Sequence, residues 1–187
     1  MNCYDAFAVP IFQFNGEDIL KDIEYHSYNH QQSFSLHEED NLKPLVDFVE
    51  KSVKRTFVPL GISENYEVEF TSMWINVMNP HSHTNEMIPH THDNNFLSTV
   101  FYTEEVNSPL VFQKPWSTHI SPTIVDQNKY NSPSYFIQPK RGDLVVFPSY
   151  LLHHALLNVY MADRISIASN VILRGDYGNH PGTRVKL

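Results

Sequence analysis

The chain has 187 residues and carries 11 histidines, six of which stand in close pairs. His81 and His83 are spaced i, i+2, as are His90 and His92, while His153 and His154 are adjacent. On an extended segment, residues two apart point to one face. Either His-x-His pair could therefore offer two imidazole nitrogens to one metal ion. A third ligand from a distant strand would close a facial site and leave the remaining coordination positions open. At this histidine content chance alone supplies such pairs, so the surroundings have to decide. His81 and His83 read as a polar loop. Past His90 and His92 lies a turn at Arg141-Gly142, an apolar run over residues 144–147, Pro148, and then His153. Eleven residues after His153 come Arg164 and Ser166, again two apart. A guanidinium and a hydroxyl on one strand face make a clamp for a carboxylate.

The elements that must carry these residues are mostly strands. Residues 7–14 suggest a short strand that Pro10 confines to a sheet edge, and residues 18–25 a short helix. Leu42, Leu45, Val46, Val49, Val53 and Phe57 recur at helical spacing. Asp40 is placed to cap that helix, and Gly61 lies just beyond its end. Strand signals follow at residues 66–78, 96–102, 110–112, 135–137, 144–147, 154–159 and 165–173, punctuated by Pro, Asn, Asp and Gly. Many short strands after one helix predict a mainly β fold, a sandwich or jelly roll with one or two N-terminal helices packed outside. A single domain over residues 1–187 is expected, with its core at about residues 66–173.

Composition removes several function classes. Thirteen Lys and Arg against 21 Asp and Glu give a formal net charge of -8, the wrong sign for neutralising phosphates, which argues against nucleic-acid partners. A single cysteine, Cys3, excludes an intrachain disulfide and a thiolate zinc site. No apolar run approaches the ~20 residues of a membrane span. The first twenty residues contain Asp5, Glu17 and Asp18 and no signal-peptide core, so a cytoplasmic protein is expected. A homodimer is an open alternative to a monomer.

Three blocks taken together resemble the 2-oxoglutarate/Fe(II)-dependent oxygenase superfamily, and within it the oxygenases common in marine bacteria and their phages. They are Trp74-Ile75-Asn76-Val77 with HTHDNNFLSTVFY over residues 90–102, GDLVVFPSYLLHH over residues 142–154, and RISIASN over residues 164–170. The resemblance implies a double-stranded β-helix and an enzyme that hydroxylates a small-molecule or other substrate, releasing succinate and CO2. Its cofactors would be Fe(II) and 2-oxoglutarate. It implies His90, His92 and His153 as metal ligands, with His154 turned away. Arg164, Ser166 and Tyr102 would hold the cosubstrate. Asn76 and Asn170 would stand behind the ligands or face the substrate, and Trp74 would pack in the core. Most of the superfamily has a carboxylate where this chain has His92, and the nearest one, Asp93, is one residue late. The ligand set is thus three histidines, or two with Asp93 brought in by a bulge. The host cytoplasm would be the location if the gene is a phage's.

Two other readings use the same residues. Gly142, Pro148 and His153 also resemble the second motif of cupins, with His81-x-His83-x-x-Glu86 as an irregular first one. A cupin-like isomerase, cosubstrate-independent dioxygenase or binding module would have no need of Arg164. A zinc hydrolase on His90, His92 and His153 would need a general base, and no glutamate adjoins those histidines in sequence. Trp116, His119 and Tyr130 are expected on loops at the rim of the site.

Overall fold

The computed structural model describes residues 8–25, 34–105, 108–116 and 122–187. Cys3 and His119 lie outside the described residues, as does the start of the strand expected at residues 7–14. Five strands form the larger sheet: β1 (Phe12–Asn15), β2 (Glu67–Met78), β3 (Leu97–Tyr102), β6 (Asp143–Pro148) and β8 (Arg164–Arg174). Their order is β1-β6-β3-β8-β2, and all neighbours are antiparallel. A second sheet holds β5 (Ser134–Ile137), β4 (Leu110–Gln113) and β7 (His153–Ala155) in that order. β9 (Asp176–Tyr177) and β10 (Val185–Lys186) make a small hairpin. Together the two larger sheets form the expected jelly roll.

Each side of the larger sheet has its own core. On the outer side lies helix α1 (Lys43–Leu60), whose Leu45, Val46, Val49, Val53 and Phe57 are buried at the spacing read from the sequence. They meet Met73, Ile75, Leu97, Phe101, Leu144, Val146, Ile167 and Val171 of the sheet. Gly61 ends α1 in the left-handed conformation, φ 65°, with its N–H donating to the Val58 carbonyl. On the inner side Tyr102, Val145 and Phe147 close against Leu110 and Phe112 of the second sheet and against Leu151.

One irregularity in β2 decides which side chains face inward. Pairing with β8 slips between Phe70 and Ser72, leaving Thr71 as an extra residue. Before the slip the even positions Val68 and Phe70 pack toward α1; after it the odd positions Met73 and Ile75 do. A one-residue insertion reverses strand parity. The bulge thereby turns Trp74, Asn76 and Met78 to the inner side while keeping apolar residues on α1 throughout.

Gly142 has φ 81°, and a Cβ there would lie 2.6 Å from the Glu17 backbone. Only glycine fits this turn, where its N–H donates to the Tyr102 carbonyl and its own carbonyl accepts from the Gly16 N–H.

The structure corrects three local expectations. Residues 18–25 contain a 3-10 turn, Glu17–Lys21, rather than a helix. Asp40 opens a separate 3-10 turn, and the residue preceding α1 is Leu42, which makes no side-chain cap. The strand expected at residues 154–159 stops at Ala155 because buried Asn158 takes the chain out of the sheet, its Nδ2 donating to the Met78 and Ala162 carbonyls at 2.8 Å each. No helix among the described residues is long and apolar enough to cross a membrane.

Candidate active site

Between the two sheets, at the end where β7 begins, the backbone brings two histidine segments together. His90 and His153 face each other as an antiparallel bridge, each N–H donating to the other's carbonyl at 3.0 Å. Directly opposed residues project to the same side, and the two rings lie 4.5 Å apart. Two residues on, the His92 N–H donates to the Ser149 carbonyl at 2.9 Å, so the His-x-His segment is anchored at both of its histidines. His92 lies 5.1 Å from each of the other two rings. One nitrogen from each of the three histidines lies within 4.8 Å of the others.

The carbonyls behind the rings set which nitrogens are free. His90 Nδ1 bonds the Ile88 carbonyl at 2.7 Å and His153 Nδ1 bonds the Leu151 carbonyl at 2.8 Å. A carbonyl can only accept, so both Nδ1 atoms carry the proton and both Nε2 atoms keep a lone pair. Burial holds His153 down to about 3 and His92 down to about 4, the neighbouring His90 adding to the effect on His92. Phe147 and Phe112 wall His153, at 4.6 and 6.2 Å between ring centres. Trp74 meets His92 edge-on at 5.5 Å and donates its Nε1–H to Asn76 Oδ1 at 2.9 Å.

Deeper in the same pocket stands Arg164, 6% exposed. Strand register puts Arg164 opposite Met78, and lines Asn76, Ser166 and Tyr102 up across β2, β8 and β3. The guanidinium lies 5.4 Å over the Tyr102 ring, and one of its terminal nitrogens has only the Met78 sulfur for company, at 3.5 Å. Arg164 Nε and Tyr102 Oη are both buried and make no hydrogen bond of good geometry, although the guanidinium is near enough to act on the phenol. Burial raises the Tyr102 phenol above its ordinary value, so it is a donor at neutral pH. Unpartnered buried donors around a cation are costly by themselves. A carboxylate is the group that would satisfy them. Three imidazole lone pairs fit a borderline divalent metal, and Arg164 with Tyr102 fits an acid in the same pocket.

The remaining expected residues divide clearly. Ser166 and Asn76 line the pocket. Asn170 is tied into a buried chain instead: Ser98 Oγ donates to Asn170 Oδ1 at 2.7 Å, and Asn170 Nδ2 donates to Ser72 Oγ at 3.2 Å. Since the Ser98 proton is used there, Ser149 Oγ donates to Ser98 Oγ, 2.8 Å away. This chain fixes Ser149, whose carbonyl holds His92. In the sequence Ser149 closes the Phe-Pro-Ser run of residues 147–149, and that motif is the available signal for it. Trp74, expected in the core, borders the site. Asp93 is exposed, accepts from Thr91 Oγ1 at 3.2 Å, and stands outside the histidine cluster. His81 and His83 are exposed and outside it too. His154, on the opposite side of β7 from His153, borders the pocket. Trp116 and Tyr130 are exposed.

Glu86, in the 3-10 turn Asn85–Met87, was named only for the cupin pattern. It does not join the histidine cluster, but it lines both the Arg164 pocket and a wider cleft beside it. Burial raises its carboxyl above the ordinary range, against the pull of His90 and Arg164.

Residues 72–170 match the sequence profile of a family described as "Putative 2OG-Fe(II) oxygenase". Among solved structures, the chain is similar to an oxidoreductase of the 2OG-Fe(II) oxygenase family from Burkholderia pseudomallei. The TM-score is 0.52 and the identity 13%, over 72% of this chain and 59% of that one. The chain thus spans 59% of the length of that protein. It is also similar to SnoN, a non-heme alpha ketoglutarate dependent epimerase from nogalamycin biosynthesis, with a TM-score of 0.54 and 10% identity over 88% of this chain and 78% of that one. A SnoN complex with Fe3+, alpha ketoglutarate and nogalamycin RO gives the same score and identity. No curated protein matches the sequence.

Proposed function

Because the chain belongs to the 2OG-Fe(II) oxygenase family, whose cofactors are Fe(II) and 2-oxoglutarate, we propose that it is a hydroxylase in which His90, His92 and His153 hold the iron. Arg164, with Ser166 and Tyr102, holds the far carboxylate of 2-oxoglutarate. The observation that carries this reading is the buried, unpartnered Nε of Arg164 in the same pocket as the three imidazoles. A cupin-like or zinc-hydrolase reading leaves that guanidinium without a task.

The cofactors supply the oxidising chemistry when bound, with succinate and CO2 as the products of the cosubstrate. The protein's part is binding, orientation and exclusion of water. His92 and His153 remain neutral at pH 7, so their lone pairs are available without releasing a proton. Three neutral ligands leave the centre one unit more positive than two histidines and a carboxylate, which strengthens the hold on a dianionic acid. Arg164 gives a charge-assisted hydrogen bond to the acid, and Tyr102 donates its hydroxyl. Phe112 and Phe147 keep water from the His153 side.

SnoN, an epimerase, shows that this fold serves more than one outcome. Epimerisation must return a hydrogen atom to the substrate from a group such as a phenol or thiol. The one phenol that lines a pocket with the three histidines among the described residues is that of Tyr102, which this reading gives to the cosubstrate, and the cleft beside His90 and His92 has no Tyr or Cys among its described lining residues. That supports hydroxylation.

Anaerobic titration with Fe(II) and then 2-oxoglutarate should produce a visible charge-transfer band. Arg164→Ala should weaken 2-oxoglutarate binding by roughly 30-fold or more, the loss typical of truncating one partner of a buried charge pair. No band, together with unchanged cosubstrate affinity in the variant, would return the assignment to a cupin-like protein.

A further inference from the structure

The cleft on the far side of His90 and His92 has a volume of about 830 Å³, in the range of small-molecule sites. Its floor is formed by the two histidines, Trp74 and Asn76, and its rim by Phe34, Ile88 and the turn carrying Glu86. Phe34 is 66% and Ile88 61% exposed, and Phe34 meets Trp74 edge-on at 5.9 Å. Large apolar side chains this open beside a metal cluster form a surface for the apolar body of a ligand.

The charge of the cleft is one-sided. Among its described lining residues there is no Lys or Arg, and Glu86 is the one carboxylate. Glu86 makes no hydrogen bond or ion pair with a described residue; His90 and Arg164 act on it only at longer range. Of those two, Arg164 is engaged once an acid occupies the inner pocket. Apart from the iron centre, whose charge the bound cosubstrate dianion would offset, a second anion in the cleft would find no cationic side chain among the described lining residues and would meet Glu86. A cation would find a carboxylate short of partners next to the faces and edges of Trp74 and Phe34, an arrangement that favours ammonium groups.

We propose that Glu86 selects the primary substrate, and that this substrate presents an ammonium group on an apolar body. This rests on the oxygenase reading and adds the substrate class to it. The ammonium pairs with the Glu86 carboxylate while the apolar part lies on Trp74, Phe34 and Ile88, within reach of the metal face made by His90 and His92. A free amine and the side chain of a lysine in a peptide share this chemistry.

The test uses protein loaded anaerobically with Fe(II) and 2-oxoglutarate, with calorimetry as the readout. The probes are 2-phenylethylammonium, its neutral relative 2-phenylethanol, the anion 3-phenylpropanoate, and Nα-acetyl-lysine amide for the peptide source. At least one of the two cations should bind about tenfold more tightly than the alcohol, and the anion most weakly. Whichever cation binds better identifies the source. Glu86→Gln should remove the preference, and Glu86→Asp should keep part of it. The proposal is overturned if the alcohol or the anion binds as well as both cations, if none of the probes binds, or if Glu86→Gln retains the preference. The iron–cosubstrate band of the wild-type protein is read separately. Its absence counts against the oxygenase assignment, whereas its presence with no cation preference counts against the role of Glu86 alone.

Discussion

The chain contains two His-x-His pairs less than ten residues apart, and their fates differ completely. His90 and His92 are stitched into the sandwich: His90 exchanges both backbone hydrogen bonds with His153, and His92 donates to Ser149. His81 sits in a turn at φ 55°, its N–H donating to the carbonyl of Asn158, and both it and His83 are exposed. The motif is the same in both places. Extended backbone held against a partner strand aims two rings one way, and a turn residue in the left-handed region does not. The convergence of two imidazoles is therefore set by the strand they lie beside, more than by their spacing.

The largest effect expected from breaking this contrast is on metal binding. His90→Ala or His153→Ala should lower Fe(II) affinity by more than the roughly 10–100-fold typical of losing an outer partner, whereas the double variant His81→Ala/His83→Ala should bind iron as the parent does. Equilibrium dialysis under argon reads both. Equal losses in the two sets would dissolve the distinction between the pairs.

Acid should act on His92 and His153 next. His92 and His153 have folded-state values pushed below the ordinary 6.5, to about 4 and about 3, chiefly by burial. The unfolded chain therefore takes up protons first as pH falls. The stability these groups contribute is complete above about 6.5 and drains away between that pH and about 3. Thermal melts of the metal-free protein should show Tm falling through this window. Replacing His153 with Phe should shrink the fall, and a slope unaffected by that change would assign it to other groups.

A smaller loss should follow from cutting the support behind His92. Ser98→Ala removes the link between Ser149 and Asn170, both buried. Leaving buried polar groups unpaired costs about 1–3 kcal/mol, visible as a lower denaturant midpoint. Iron affinity should drop by about tenfold through a loosened Ser149 carbonyl. A stability loss with unchanged iron affinity would show that the chain supports the sheet without positioning His92. The smallest effect belongs to Asp93→Ala. An exposed side chain outside the cluster should change stability by no more than about 0.5 kcal/mol and leave iron affinity as it was. A large loss of iron would exchange Asp93 for His92 in the ligand set.

Local periodicity made much of the scaffold legible. The apolar spacing of Leu45, Val49, Val53 and Phe57 marked α1, and Gly61 marked its end. Most strand positions followed from β-branched and aromatic runs between turn residues. Residues 66–78 alternated only in part. The structure shows why: two half-strands of opposite parity meet at Thr71. The switch from Val68 and Phe70 to Met73 and Ile75 was present in the sequence. Residues 154–159 misled because their apolar content belongs to a loop held by the side chain of Asn158, a tertiary contact.

The sequence by itself determined the chemical inventory and its order: imidazoles on an extended segment, another after an apolar strand and turn, and a guanidinium opening the last long strand. These are properties of residue type and of near neighbours, where pleat and turn geometry act. Tertiary structure alone decided that His90 would face His153, that Ser149 would hold His92, that Asp93 would stay outside, and that Glu86 would border both the pocket and the cleft. Those outcomes depend on hydrogen bonds and burial between segments far apart in the chain, and no periodicity within either segment carries that information.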